Sequence, residues 1–484
     1  MTSAWDRLIA ASRRLARPAQ PPRERVGIVL AGGGARASFQ LGALERLLGE
    51  ERLAFDTVAG TSAGAILGGV IAQRADNAGQ HRAIAELTRA WRDMRDNSAI
   101  FRERPWFSLL QDQAPVWQQL LRGDATSRTP RTIEIPSFTW PWSKEPAAEP
   151  LTVTLPGMPQ TFSTISGLWN LAGPGSGFDS IAKGALRSSS VFTPGPVVDR
   201  IVEEIFDPDL VAHSGVRSRF SVVSLESGEL RYVDGQGRLR DRDDVPLGVD
   251  VDLTDAIAAS CAIPGIFPPV RLGDEHYVDG GVRMNLPADI VFEHLPVDRC
   301  YVISSAPAGV QHDPSFARST IVSTMMRAGI SLAPEELAYQ ERARARAQGG
   351  IMIDPQTEIH DAMTVEPGLI ALAIDYGYLR AAQVVSGADE QEQRLARHLV
   401  EIRRLLWAIE AQEDPQRRRP ESESAVQRIV EQARVSTQVE SPERLRRTVR
   451  DLTRALPDDH LPDGAFAWGH RPEYVPVERT AGEH

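Results

Sequence analysis

Three short stretches of this chain carry residues whose types and spacing could do chemistry. Residues 60–64 read GTSAG, with Ser62 between Gly60 and Gly64. A serine so flanked suits a sharp strand-to-helix turn, a nucleophile elbow, where bulkier neighbours would clash. In a chain with 38 glycines the same pattern also arises as an ordinary strand–turn–helix, so context and an available base must decide. Residues 32–34 are three glycines within GGGARA, and residues 279–281 read DGG.

GGGARA has two readings. It fits Gly-x-Gly-x-x-Ala between a strand and a helix, a dinucleotide-binding pattern. That reading wants an acidic residue at the end of the second strand, and Asp56 stands at its beginning. The other reading is an oxyanion hole. Backbone N–H groups at a helix N-terminus point at negative charge, and Gly32, Gly33 and Gly34 let that backbone come close to a substrate. Both the glycine loop and Ser62 follow strands, so both should open at the carboxyl end of the sheet. Ala63, after the nucleophile, should add a third N–H.

A serine nucleophile needs a base. The chain has ten histidines, and none sits in a loop built to reach Ser62. His276, in HYVDGG, reads as an edge-strand residue. Asp279 stands at a strand end, before Gly280 and Gly281, where a carboxylate could enter a cleft unobstructed. DGG is equally a plain turn, its commonest meaning.

The elements that must position these residues are legible. VGIVLAGGG is an apolar, β-rich run. ASFQLGALERLLGE has helical periodicity through Phe39, Leu41, Leu44, Leu47 and Leu48. FDTVAG and SAGAILGGVIAQ repeat the strand–glycine–helix unit, which predicts a parallel sheet with right-handed crossovers. Further along, VVDRIVEEIF reads as a helix and RFSVVSLESGELRYV as a hairpin. LTDAIAASCAIPGIF reads as a helix stopped by Pro264 and Gly265, and HYVDGGV, CYVISSAP and IMIDP as strands. A helix is expected around Leu369 to Val384.

GGGARASFQLGAL, GTSAGA, ASCAIPGIFPPV and YVDGGVRMNLP follow one another in that order. The series resembles the patatin-like phospholipases of bacterial type, over about residues 26–310 and on to IDYGYLRAA near residue 382. The resemblance implies a three-layer α/β fold, with a mainly parallel central sheet flanked by helices. It implies a Ser–Asp dyad without histidine, the serine at Ser62 and the aspartate at Asp279. Gly32, Gly33 and Gly34 take the place of the family's oxyanion loop, and Arg36 its basic position. Ala37 stands where glycine is usual. Asn285 matches a recurring Asn before Pro that holds the DGG loop. The implied activity is lipid acyl hydrolysis of the phospholipase A or lysophospholipase type, by a serine hydrolase acting on carboxylic esters. The alternative is a non-catalytic lipid- or protein-binding module on the same fold. A free aspartate, with a pKa of about 3.9, is a weak base, so a dyad aspartate should be buried enough for desolvation to raise it.

The rest of the chain bounds the partners. A net charge of −11, with no large Lys/Arg block, argues against nucleic acid. Cys261 and Cys300 sit in apolar runs and read as two buried free thiols. No Cys/His spacing suggests zinc, and the chemistry calls for no metal or cofactor. There is no run of about 18 apolar residues and no secretory leader, which gives a cytoplasmic expectation.

Residues 1–25 form an amphipathic N-terminal segment and linker, suited to an anionic membrane surface or to packing on the body. The hydrolase domain is expected over 26–390. An insertion at about 101–190 is rich in proline, and six of the nine tryptophans lie between Trp91 and Trp169; it reads as a lid or lipid-facing surface or as loop packing. Residues 391–484 form a helical extension with stripes at Leu395, Leu399, Ile402, Leu406 and Ile409, and at Leu445, Val449, Leu452 and Leu456. Such helices must dock on the core or on another chain, a homo-oligomer or a protein partner. The expected partners are a lipid ester substrate and, transiently, a membrane surface.

Overall fold

The computed structural model describes residues 23–105, 188–309, 328, 332–413, 426–427, 429–430 and 441–462, and the backbone of two strands, Arg131–Ile135 and Leu151–Leu155. The amphipathic segment before residue 23, most of the Trp-rich insertion and the linker with the RRR triplet lie outside the described residues. The chain divides into two compact units, residues 1–102 with 194–484, and residues 103–193. In the second unit the two strands form an antiparallel pair, Arg131 opposite Leu155.

The first unit is built on a ten-stranded mixed sheet. Its strands are β1 Val26–Leu30, β2 Thr57–Gly60, β3 Arg217–Ser224, β4 Leu230–Asp234, β5 Arg238–Arg240, β6 Pro246–Asp250, β7 Val270–Leu272, β8 Glu275–Asp279, β9 Arg299–Ile303 and β10 Ile351–Ile353. The main path runs β6-β5-β4-β3-β2-β1-β9-β10, with β8 joined to β3 and β7 joined to β8. The half around β1, β2, β9 and β10 is parallel, and β2 is parallel to β3. From β3 outward the sheet becomes antiparallel, because short turns connect the strands there and a two- to five-residue connection can only reverse the chain.

β1 is buried along its whole length. Its side chains alternate between two cores, as a period of two requires. Val26, Ile28 and Leu30 join the large cluster with helices α1 Ala37–Leu48, α2 Ala63–Ala72 and α3 Asn77–Arg92. Val29 joins the smaller cluster on the other face, with Ile290 and Val291 of helix α5 Ala288–His294 and Ala345 of helix α6 Ala333–Ala347. Helix α4, Leu253–Ser260, precedes β7 and is N-capped by the Asp252 carboxylate, which accepts from Thr254 and Asp255. The layers are therefore helix, sheet and helix.

Helices α7 Pro367–Ser386, α8 Glu390–Glu413 and α9 Pro442–Ala455 complete the unit. Phe39 of α1 meets Tyr376 of α7 edge to face, ring centres 5.3 Å apart. Leu399, Leu406, Trp407, Leu445 and Val449 belong to the same core cluster as α1 and α2, so the C-terminal helices dock on this body. Ser441 caps α9 with Pro442 at its first position, as the Ser-Pro-Glu sequence predicts. The helix expected at VVDRIVEEIF ends in a π-helical turn, Ile201–Ile205. Both cysteines are free, Cys300 buried and Cys261 partly exposed.

Candidate active site

β2 ends at Gly60 and α2 begins at Ala63, which leaves two residues for the turn. Ser62 takes φ 55° and ψ −128°. A non-glycine residue there carries strain of about 1–3 kcal/mol, which the surroundings must offset. The Ser62 N–H donates to Ser260 Oγ at 2.9 Å. The Thr61 N–H donates to the Leu30 carbonyl at 3.2 Å. Thr61 Oγ1 lies 2.5 Å from Ser221 Oγ and donates to the Met284 carbonyl at 3.0 Å. A Cβ on Gly64 would lie 2.7 Å from the Ala31 carbonyl oxygen, so only glycine lets α2 start this close to β1. Ser62 occupies the N-cap position, yet its side chain caps no helix N–H. Its hydroxyl is left for other work.

That hydroxyl neighbours the Asp279 carboxylate and favours its charged form. The sheet register explains the meeting. On one edge of β3, β2 pairs in parallel up to Gly60 opposite Phe220. On the same edge β8 pairs antiparallel, ending with Asp279 opposite Val222. The two strands thus run toward each other and stop on either side of Ser221. Asp279 Oδ1 accepts the Gly281 N–H at 2.7 Å, so the DGG turn holds its own carboxylate. Ser62 is 6% and Asp279 5% exposed. Burial pushes the Asp279 carboxyl up to about 6, and the neighbouring Ser62 hydroxyl and the Gly281 N–H hold it back from rising further. Beside it the Cys261 thiol is pushed well above its ordinary range, by burial first and by the Asp279 charge second.

The glycine loop lies between β1 and α1. Among the described residues no acceptor takes the N–H of Gly33, Gly34 or Ala63. Gly34 has φ +54°, and a Cβ on it would lie 2.5 Å from the Ala362 carbonyl oxygen. The Ala35 N–H donates to that same carbonyl at 2.9 Å. Gly32 corrects the sequence expectation. Its N–H donates to the Asn285 carbonyl at 3.1 Å, so it offers no free donor to an oxyanion. Its carbonyl accepts from Ser305 Oγ and, at 3.5 Å, from Asn285 Nδ2. Gly32 anchors the loop. Ala37, in place of the usual glycine, is fully buried at the start of α1.

Asn285, expected to hold the DGG loop, bonds Gly32 instead, and it is held in turn. The N–H groups of Asn285 and Leu286 donate to the buried Glu341 carboxylate at 3.1 and 2.9 Å. Burial pushes Glu341 up to about 7 against those two hydrogen bonds. Arg36 pairs with Glu358 and donates to the His360 carbonyl at 3.2 Å, tying the loop at 355–362 to the start of α1. His360 is buried beside Ser38, with its pKa lowered to about 4 by desolvation, so it stays neutral. His276 pairs with Glu226 at 2.8 Å and is half-exposed, but it is not the edge-strand residue expected, because β8 lies between β3 and β7 with His276 opposite Arg271.

Ser260, Ser221, Ser305, Glu341 and the Ala362 carbonyl are the parts that the motifs alone did not reveal. Ser260 lies inside the quoted ASCAIPG stretch, where one hydroxyl in an apolar helix end was the available signal. The others come from elements far away in sequence and carry no local mark.

The family model for patatin-like phospholipases matches residues 28–292, more than half of the chain. The chain belongs to the patatin-like phospholipase family. Relatives include uncharacterized NTE family proteins of Mycobacterium bovis and Mycobacterium tuberculosis, each 35% identical over 102 residues. That stretch is 21% of this chain and 15% of each relative, so the match spans a small part of those longer proteins. Among solved structures, VipD from Legionella pneumophila aligns over 90% of this chain and 85% of its own, at 13% identity and a TM-score of 0.31. The heterodimeric ExoU–SpcU complex of Pseudomonas aeruginosa aligns over 93% and 90%, at 14% identity and a TM-score of 0.22. Membership of the patatin-like family rests on the sequence match. Among the described residues no helix is long and apolar enough to cross a membrane.

Proposed function

We propose that this patatin-like protein hydrolyses fatty acyl esters of lipids, as a phospholipase A or lysophospholipase, with Ser62 as nucleophile and Asp279 as general base. The observation that carries the reading is the Ser62 side chain set against a buried carboxylate whose proton affinity is raised, with the N–H groups of Gly33, Gly34 and Ala63 lacking acceptors among the described residues. Asp279 takes the Ser62 proton as Oγ attacks the ester carbonyl carbon. The carbonyl oxygen becomes an oxyanion, held by the N–H groups of Gly33, Gly34 and Ala63 at the positive end of α2. The C–O bond to the alcohol or lysolipid breaks, and the leaving oxygen takes the proton back from Asp279. Water then gives a proton to Asp279 as its oxygen attacks the acyl carbon; the bond from that carbon to Ser62 Oγ breaks, Oγ takes the proton from Asp279, and the fatty acid leaves. A membrane lipid as substrate implies transient contact with a membrane surface.

A fluorophosphonate probe tests the nucleophile directly. Wild type should label, while Ser62→Ala should not and Asp279→Asn should label far more slowly. Equal labelling of Ser62→Ala and wild type would move the nucleophile elsewhere. Release of fatty acid from phospholipid vesicles and from lysophospholipid micelles then separates the two substrate types.

A further inference from the structure

We propose that the turn Ser260–Cys261–Ala262 is the positioning clamp of the dyad, with Ser260 as a positioning residue for Ser62. The inference rests on reading Ser62 and Asp279 as the reacting pair, and it assigns a task to the one motif which that reading leaves idle. Ser260 Oγ accepts the Ser62 N–H at 2.9 Å. Two residues on, the Ala262 carbonyl accepts the Asp279 N–H at 3.0 Å. One short turn therefore grips the backbone of both members of the pair.

The turn is itself fixed. Ser260 is fully buried and Ala262 is 1% exposed. The Cys261 N–H closes the last turn of α4 on the carbonyls of Ile257 and Ala258, both at 3.1 Å. α4 packs on α2, where a Cβ on Gly69 would come within 2.8 Å of Ile257 Cδ1. The helix that supplies the clamp is thus seated on the helix that Ser62 begins.

Ser62 needs such a grip. Its positive φ aims Oγ away from the helix cap and at Asp279, and a buried N–H with no acceptor would favour a different turn. The hydrogen bond also removes the Ser62 N–H from the oxyanion hole and leaves that task to Ala63. Loss of Ser260 Oγ should let the elbow relax and carry the Ser62 hydroxyl away from Asp279. Asp279 would then lose one of the two contacts that favour its charged form.

The test compares wild type with Ser260→Ala in three ways: fluorophosphonate labelling and short-chain ester turnover, the pH profile of kcat/KM, and amide hydrogen exchange of the segment 57–66. The expected result is a fall in kcat on the order of 10- to 100-fold with KM within about twofold. The acid limb of the profile should move up in pH, and the elbow amides should exchange faster. A purely structural serine would lower the melting temperature and leave the pH profile alone. Unchanged exchange together with an unchanged profile would overturn the clamp. If wild type reacts with no probe, the reading of the reacting pair fails, and the exchange comparison still decides the clamp by itself. Should Ser260→Ala not fold, Ser260→Cys, close in size but a weak acceptor, is read the same way.

Discussion

Gly60 and Asp279 end two strands that face each other along one edge of β3, Gly60 opposite Phe220 and Asp279 opposite Val222. Ser221 lies between those partners and contacts both ends. Its hydroxyl is 2.5 Å from Thr61 Oγ1, and its carbonyl oxygen would lie 2.6 Å from a Cβ on Gly280. A parallel and an antiparallel strand sharing one edge bring the nucleophile turn and the DGG turn together. The gap between them is set by backbone hydrogen bonds, not by flexible side chains.

The first prediction concerns pH. Asp279 accepts a proton only when ionised, and its carboxyl sits at about 6. The kcat/KM of wild type should therefore fall on the acid side, with an apparent pKa near 6. A profile still flat at pH 4.5 would exclude Asp279 as the base.

The same shift makes Asp279 a cost to stability. Its folded pKa lies above the unfolded value, so the folded state holds the proton more tightly. Stability from this group is full below about pH 4, declines as pH rises through 6, and is constant above that. Asp279→Asn should then unfold later than wild type at pH 8, by up to about 3 kcal/mol, while losing nearly all activity. Thermal melts at pH 4 and pH 8 check this, and the gain should be absent at pH 4.

Gly34→Ala should abolish activity more than it harms the fold. The added Cβ meets the Ala362 carbonyl, and φ +54° disfavours any side chain. The loop must move, and its N–H groups move with it. A loss of about 100-fold or more in kcat is expected, the scale of one oxyanion donor removed. Steady-state kinetics beside a melting curve separate the two effects.

Glu341→Ala should act at a distance. It leaves the N–H groups of Asn285 and Leu286 buried without an acceptor, at a cost of about 1–3 kcal/mol each. Asn285 then holds Gly32 less firmly. Lower denaturant midpoints together with reduced kcat are expected. A variant as stable and as active as wild type would show that Glu341 bears no load at the site.

Much of this was legible in the chain. Strand–glycine–helix units located β1, α1, β2 and α2, since apolar period and glycine punctuation are local properties. The family resemblance carried by the ordered motifs pointed to Ser62 and Asp279 as the pair, and the burial of Asp279 expected from its chemistry is present. Gly32 was misjudged as a donor because the acceptor of its N–H, the Asn285 carbonyl, lies far along the chain. Arg36 read as part of the site, and its partner is Glu358.

Residue type fixes chemistry and local backbone preference, so the chain's order alone tells which groups are present and which turns expose them. The tertiary structure alone decided how those groups are spaced and which N–H groups remain unspent. The mixed register on β3, the grip of Ser260 on Ser62 and the docking of α8 and α9 on the core all join residues that are remote in sequence. Hydrogen-bond pairing and burial between such residues leave no periodic signal along the chain, so only the folded chain reveals them.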